Sequence, residues 1–178
     1  GSQSLHKPVY TTRFLNHNKN TITTDVYLHE GGKVTEWAYE ISQGSGKRNI
    51  VGIIGPVGAG LIYSDKVLMA TDETGFPAAS RILENLDHKT SGKIILETKN
   101  GKPIYPLKIP KLMDIQLLSR DKGENLKNET LKVLKKHNNH KIWFAGEKQQ
   151  ANSVREYAKK VGFDPKNLRI SSFWTSKI

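Results

Sequence analysis

Val67 to Leu83 reads VLMATDETGFPAASRIL: a short apolar run, a turn of small and polar residues, then a helical pattern. Val67, Leu68, Met69 and Ala70 suit a strand covered on both faces, because no polar residue alternates through them. Asp72, Thr74 and Gly75 break the run, and Pro77 stands where a first helical turn tolerates a missing N–H. Beyond it, Ala78, Ala79, Ile82 and Leu83 fall on one helix face. A corner of this kind turns helix N–H groups and their positive partial charge outward, a seat for a phosphate-bearing ligand. It lacks G-x-G-x-x-G, so alone it marks any doubly wound sheet as readily as a nucleotide site.

A second corner follows at Lys141 to Glu147, KIWFAGE, before a helical pattern carrying Val154, Arg155, Tyr157, Ala158 and Val161. In a parallel sheet both turns emerge at the same strand-end edge, where ligands bind. Further strands are expected at Lys93–Glu97, Met113–Leu118, Ile142–Ala145 and Leu168–Phe173, with helices at Phe76–Leu86, Glu124–His137 and Lys148–Val161. That alternation predicts an α/β fold with a covered parallel sheet from residue 66 to 178. Residues 1–65 read differently. Val9–Leu15 and Thr21–His29 suit antiparallel strands across the polar loop Asn16–Asn20, followed by a helix at Thr35–Ile41 and a strand at Asn49–Ile54.

Composition narrows the chemistry. The 178 residues contain no cysteine, which removes disulfides, thiolate catalysis and cysteine-held metal clusters. No apolar run approaches the roughly 18 residues of a membrane span, and the expected location is the bacterial cytoplasm. The net charge of +11 is uneven, with 16 Lys and Arg against 7 Asp and Glu from Tyr105 onward and 12 against 10 before it. A basic C-terminal region calls for an anionic partner. Nucleic-acid signatures are missing, so nucleic acid is not the expected one. Lys132, Lys135 and Lys136 on one amphipathic helix read most simply as a solvated face. His137 and His140 share an i, i+3 spacing, but a metal site needs more ligands, and none is expected.

The segment Asp72–Glu84, DETGFPAASRILE, resembles the D-E-T-A-L-P-A-x-x-R-x-L-E block of the siderophore-interacting proteins. Trp143–Glu147 resembles that family's W-x-A-G-E block, and Phe173-Trp174 stands where the family ends in Tyr-Trp. Upstream, Tyr10-Thr11-Thr12-Arg13 is similar to the R-x-Y-T-x-R flavin motif, with Pro8 in place of its first arginine. His29 and Gly32–Ala38 are similar to the H-x-x-x-G-x-A-[ST]-x-W-A block, and Gly55-Pro56 with Gly58 to a G-P-x-G turn. The resemblance implies a ferredoxin reductase-like protein: residues 66–178 a NAD(P)H-binding doubly wound domain, residues 1–65 the C-terminal part of a FAD-binding antiparallel β-barrel. Gly1-Ser2 reads as a cloning remnant. The implied activity passes electrons from NAD(P)H through FAD to an anionic ferric siderophore. The alternatives are a related flavin reductase with another acceptor, and a non-catalytic nucleotide-binding fragment. Barrel strands with open edges would pair with a second copy or with a complementing N-terminal segment.

The resemblance also assigns residues. Tyr10, Thr11, His29, Lys33, Val34 and Thr35 are the FAD candidates, although Tyr10 has a competing role as a packed strand aromatic. Asp72, Thr74, Glu97, Ala145, Gly146 and Glu147 are the NAD(P)H candidates. Thr74 doubles as a helix cap, and Glu147 as a first-turn acid offsetting the helix dipole. Glu97 stands about where a dinucleotide-binding acid takes ribose hydroxyls, while Lys99 and Lys102 could instead favour a 2′-phosphate, which leaves both NADH and NADPH open. Arg81, Arg155 and Lys177 are the siderophore candidates. Such chemistry needs no acid–base side chain, since the cofactors carry the redox steps.

Overall fold

A computed structural model describes residues 8–44, 51–55, 58 and 60–176. Its centre is a five-stranded, wholly parallel sheet of β3 (Lys66–Thr71), β4 (Ser91–Thr98), β5 (Leu112–Ser119), β6 (Lys141–Glu147) and β7 (Leu168–Trp174), in the order β5-β4-β3-β6-β7. Before it lie β1 (Thr12–Asn16) and β2 (Thr21–Thr24), an antiparallel hairpin, and helix α1 (Lys33–Ser42). Helices α2 (Phe76–Asn85), α3 (Leu126–Leu134) and α4 (Lys148–Lys160) complete the α/β region.

The apolar run of β3 faces both ways, as its lack of alternation predicts. Val67 and Met69 pack with Phe76, Ala79, Ile82 and Leu83 of α2. Leu68 and Ala70 pack on the other side with Leu126 and Leu134 of α3 and Ala151, Val154 and Ala158 of α4. Helices therefore cover both faces, and the sheet is doubly wound. The β4–β5 connection carries no helix; Tyr105, Leu107 and Ile109 lie over the α2-side core instead. Gly92 enters β4 with φ of 135°, and a Cβ there would collide with the Val67 carbonyl, so only glycine admits this approach of β4 to β3.

Several boundaries shift for local reasons. The helix expected from Glu124 starts at Leu126, because the Asn125 side chain accepts from Asn128 N and caps it there. It tightens into a 3-10 turn at Lys135–His137. The expected strand Thr21–His29 ends at Thr24, since Asp25 then turns its carboxylate to the Tyr105 hydroxyl at 3.0 Å. The first strand begins at Thr12 rather than Val9, with a register irregularity between Thr12 and Phe14. Of the strand expected at Asn49–Ile54, Asn49 and Ile50 lie outside the described residues, and Val51–Ile54 are exposed and form no strand with the described residues. Of the implied barrel, the described residues hold this one hairpin, with Phe14, Leu15 and Ile22 exposed. Among the described residues, no helix is long and apolar enough to cross a membrane.

Candidate functional site

Strand order reverses between β3 and β6, the place where a doubly wound sheet opens a crevice beyond its carboxyl ends. The two corners singled out in the sequence meet there. Thr71 pairs with Ala145 in the ladder, and its hydroxyl donates to the Ala145 carbonyl at 2.8 Å. A Cβ on Gly75 would run into Thr71 Oγ1 and stand 3.0 Å from Ala145 Cβ; one on Gly146 would stand 3.1 Å from Asp72 Oδ2. The small residues thus bring the corners together. Ala145 and Gly146 are buried, so they serve this packing rather than leaving an open approach for a ligand.

The acids at the crevice are engaged within the chain. Asp72 Oδ1 accepts from Thr74 N at 2.9 Å and Thr74 Oγ1 at 2.5 Å, while Oδ2 accepts from Trp174 Nε1 at 2.7 Å. Burial pushes the Asp72 carboxyl up, and the Thr74 and Trp174 donors only partly offset this. Glu147 caps α4, its Oε2 accepting from Gln149 N at 2.6 Å and Gln150 N at 3.0 Å. Burial opposes ionisation there too, but the backbone donors of Gln150 and Gln149 win and hold this carboxyl below its usual range. Glu147 therefore takes the capping role, whereas at the first corner Asp72 is the cap and Thr74 its donor.

Glu97 is 3% exposed and takes Leu126 N at 2.5 Å and Arg120 Nη1 at 3.0 Å. Both oxygens are occupied, so it holds the start of α3 and leaves no free oxygen for a ribose. Glu73 binds the same Arg120 through Nη1 and Nη2 and also accepts from Lys99 N at 2.8 Å. The Glu73 hydrogen bonds, first, and then Glu97 raise the Arg120 guanidinium above its ordinary range. Sequence reasoning missed Arg120 and Glu73; they lie 47 residues apart, and no local signal joins them.

Much of the expected phosphate seat is already engaged. The 3-10 turn before α2, the start of α3 and the start of α4 present N–H groups already taken by Asp72, by Asn125 and Glu97, and by Glu147. A phosphate there would displace a carboxylate and meet the negative charge of its neighbours. The basic surplus is not concentrated at this rim. Lys66, Lys135, Lys136, Lys141, Lys159 and Lys160 stand at strand starts and helix ends, on the opposite edge. The rim's exposed lysines include Lys99 and Lys102, in the loop after β4.

Helix α1 differs from α3 and α4, and its start, unlike that of the equally uncapped α2, does not follow a side-chain-capped 3-10 turn. Its N-cap, Gly32, makes no side-chain cap among the described residues, and exposed Lys33 opens its first turn. His29 N donates to Thr35 Oγ1 at 3.1 Å, folding the chain back over the helix start. The His29 ring lies against Gly32, where a Cβ would stand 2.6 Å from His29 Cε1 and push the exposed ring aside. His29 and Lys33 are exposed, Val34 is half-buried and Thr35 buried, so four of the FAD candidates gather at one helix start. Tyr10 and Thr11 lie just before β1, exposed and half-buried.

The siderophore candidates are not brought together. Arg81 sits on α2 and meets Glu84 at 3.5 Å. Arg155 sits on α4, across the sheet, giving Nη1 to Asn152 at 2.7 Å and Nη2 to the Ile170 carbonyl at 2.7 Å. Two helices on opposite faces cannot share one small ligand. Lys177 lies outside the described residues. Among them, no group of three metal-ligating side chains occurs.

Comparison with known proteins agrees with this architecture. The sequence model of the siderophore-interacting protein family matches residues 64–177. The ferric vibriobactin reductase ViuB of Vibrio cholerae is 32% identical over 125 residues, 67% of this chain and 45% of that protein. The chain therefore spans under half of that relative. An NADPH-dependent ferric-chelate reductase of Escherichia coli is 21% identical over 164 residues, 89% of this chain and 63% of that one. The solved siderophore-interacting protein of Acinetobacter baumannii superposes with a TM-score of 0.76 at 21% identity, covering 100% of this chain and 74% of the other, which shows a shared fold.

Proposed function

This chain belongs to the siderophore-interacting protein family, and from that premise we propose that it is the nucleotide-binding part, with an adjoining flavin-binding segment, of a ferric-siderophore reductase. The observation that carries the reading is the meeting of the two family corners at the sheet's switch point, with Thr71 bonded to Ala145 across it. The α1 start, without a side-chain cap among the described residues, supports FAD: Lys33 and the first-turn N–H groups suit its phosphates, with His29 and Thr35 holding the turn and Tyr10 and Thr11 beside the ring.

NAD(P)H is assigned to the β3–β6 crevice. Thr74 and the Glu147 turn, fixed by their caps, orient the nicotinamide. Because the α3 and α4 starts and the turn before α2 are already engaged by side chains, the phosphates fall to the loop after β4, where Lys99 and Lys102 favour a 2′-phosphate and hence NADPH. A bound flavin supplies hydride acceptance and one-electron release. The chain's own part is to orient the two cofactors and to keep the buried acids from competing as ligands. The substrate class is a ferric chelate, with iron leaving as Fe(II), for which hard oxygen donors are a poorer match.

The test is anaerobic mixing of the FAD-titrated protein with NADPH, then with a ferric hydroxamate or catecholate. Bleaching of the flavin band by NADPH and its return with the chelate are expected. A preparation that takes up no FAD, or whose bound FAD ignores NADPH, sinks the proposal.

A further inference from the structure

The hairpin presents a puzzle of adhesion. Of the residues in β1 and β2, Arg13 alone is buried, and Phe14, Leu15 and Ile22 stay exposed. Apolar burial therefore does little to fix the hairpin against the α/β region. The contacts that do so are polar. Arg13 Nη1 donates to Glu84 Oε2 at 2.9 Å and Nη2 to Glu84 Oε1 at 2.5 Å, a two-pronged pair on the last turn of α2. The same guanidinium lies 4.3 Å from the Phe14 ring centre and 5.6 Å from that of Tyr105. Tyr105 packs edge-on to Phe76 at 4.9 Å, at the start of α2, and donates its hydroxyl to Asp25 just past β2.

We propose that Arg13 and Glu84 are a positioning pair that sets the hairpin against α2, and with it the flavin segment against the nicotinamide turn. The reasoning is mechanical. Helix α2 is a ten-residue rod whose first residue follows the Glu73–Gly75 turn and whose last turn holds Glu84. The hairpin begins two residues after Tyr10, the candidate at the flavin ring. A bidentate arginine–carboxylate pair fixes angle as well as distance, which a lysine or a single hydrogen bond does not. Hydride transfer is sensitive to errors of an ångström in that geometry. The Asp25–Tyr105 bond is the second point of attachment, and two points stop rotation about one. This inference rests on the reductase reading for its catalytic half alone.

Glu84→Gln, Arg13→Lys and the exchanged pair Arg13→Glu/Glu84→Arg test it in the whole chain. Hydrogen exchange is read at the hairpin amides, residues 12–24, and at β3–β7. In the two single variants the hairpin amides are expected to exchange about tenfold faster while the sheet is unchanged. With FAD loaded, hydride transfer from NADPH is expected to slow, while the nucleotide Kd stays within roughly twofold. The exchanged pair is expected to restore both. Unchanged hairpin exchange in both single variants overturns the proposal. So does equal acceleration in β3–β7, since the pair would then support the whole fold. A wild-type chain that takes up no FAD removes the reductase reading, and the exchange measurements still decide the pair.

Discussion

Trp174 Nε1 donates to Asp72 Oδ2 at 2.7 Å, tying the end of the last strand to the turn after β3 across 102 residues of sequence. Asp72 is 4% exposed, so this donor offsets part of the cost of burying a carboxylate. Trp174→Phe keeps an aromatic ring but deletes the indole N–H. A loss of about 1–2 kcal/mol in denaturant unfolding is expected, and stability equal to wild type would show that the bond contributes nothing.

Arg120 serves two buried acids at once, Glu73 and Glu97. Arg120→Met leaves both uncompensated, and a loss of about 3 kcal/mol is expected, at the low end for such pairs because the arginine side chain is 37% exposed. Adding Glu73→Gln and Glu97→Gln is expected to recover most of it. If the triple variant is no more stable than the single one, charge burial is the wrong explanation.

Lys99 and Lys102 carry the proposed 2′-phosphate preference. Lys99→Ala/Lys102→Ala is expected to weaken NADPH binding about tenfold while changing NADH little, a difference worth about 1.4 kcal/mol. Equal weakening of the two nucleotides in titration calorimetry would place the phosphate elsewhere.

His140 illustrates a pH effect far from the site. Burial first, then the charges of His137 and Lys66, lower its pKa to about 4. The unfolded chain takes up this proton near pH 6.5, so the neutral folded ring contributes stability that is full above 6.5 and lost as pH falls from 6.5 towards 4. Its ring is 4.5 Å from that of His137, on the edge opposite the crevice. His140→Asn is expected to flatten the stability profile in that window. An NMR titration of His140 centred near 6.5 would refute the assignment.

Much of the sheet was legible because its signals are local. The unbroken apolar run Val67–Ala70 announces a strand covered twice, and Pro77 marks a helix start whatever lies around it. Similar runs located β4 to β7 within two residues. The hairpin was harder. Its pairing stops where Asp25 finds Tyr105, 80 residues away, and no strand propensity encodes that partner.

Within residues 66–176 the sequence alone determined which segments become strands and helices, and that two corners of family pattern exist, since those follow from side-chain period and backbone restriction. Only the tertiary structure decided what the corner acids do. Asp72, Glu97 and Glu147 carry the residue types of ligand-binding groups, yet burial beside helix starts and Arg120 leaves each carboxylate engaged by its own chain. A charge out of water must find a partner, and which partner is near depends on how strands distant in sequence are ordered side by side.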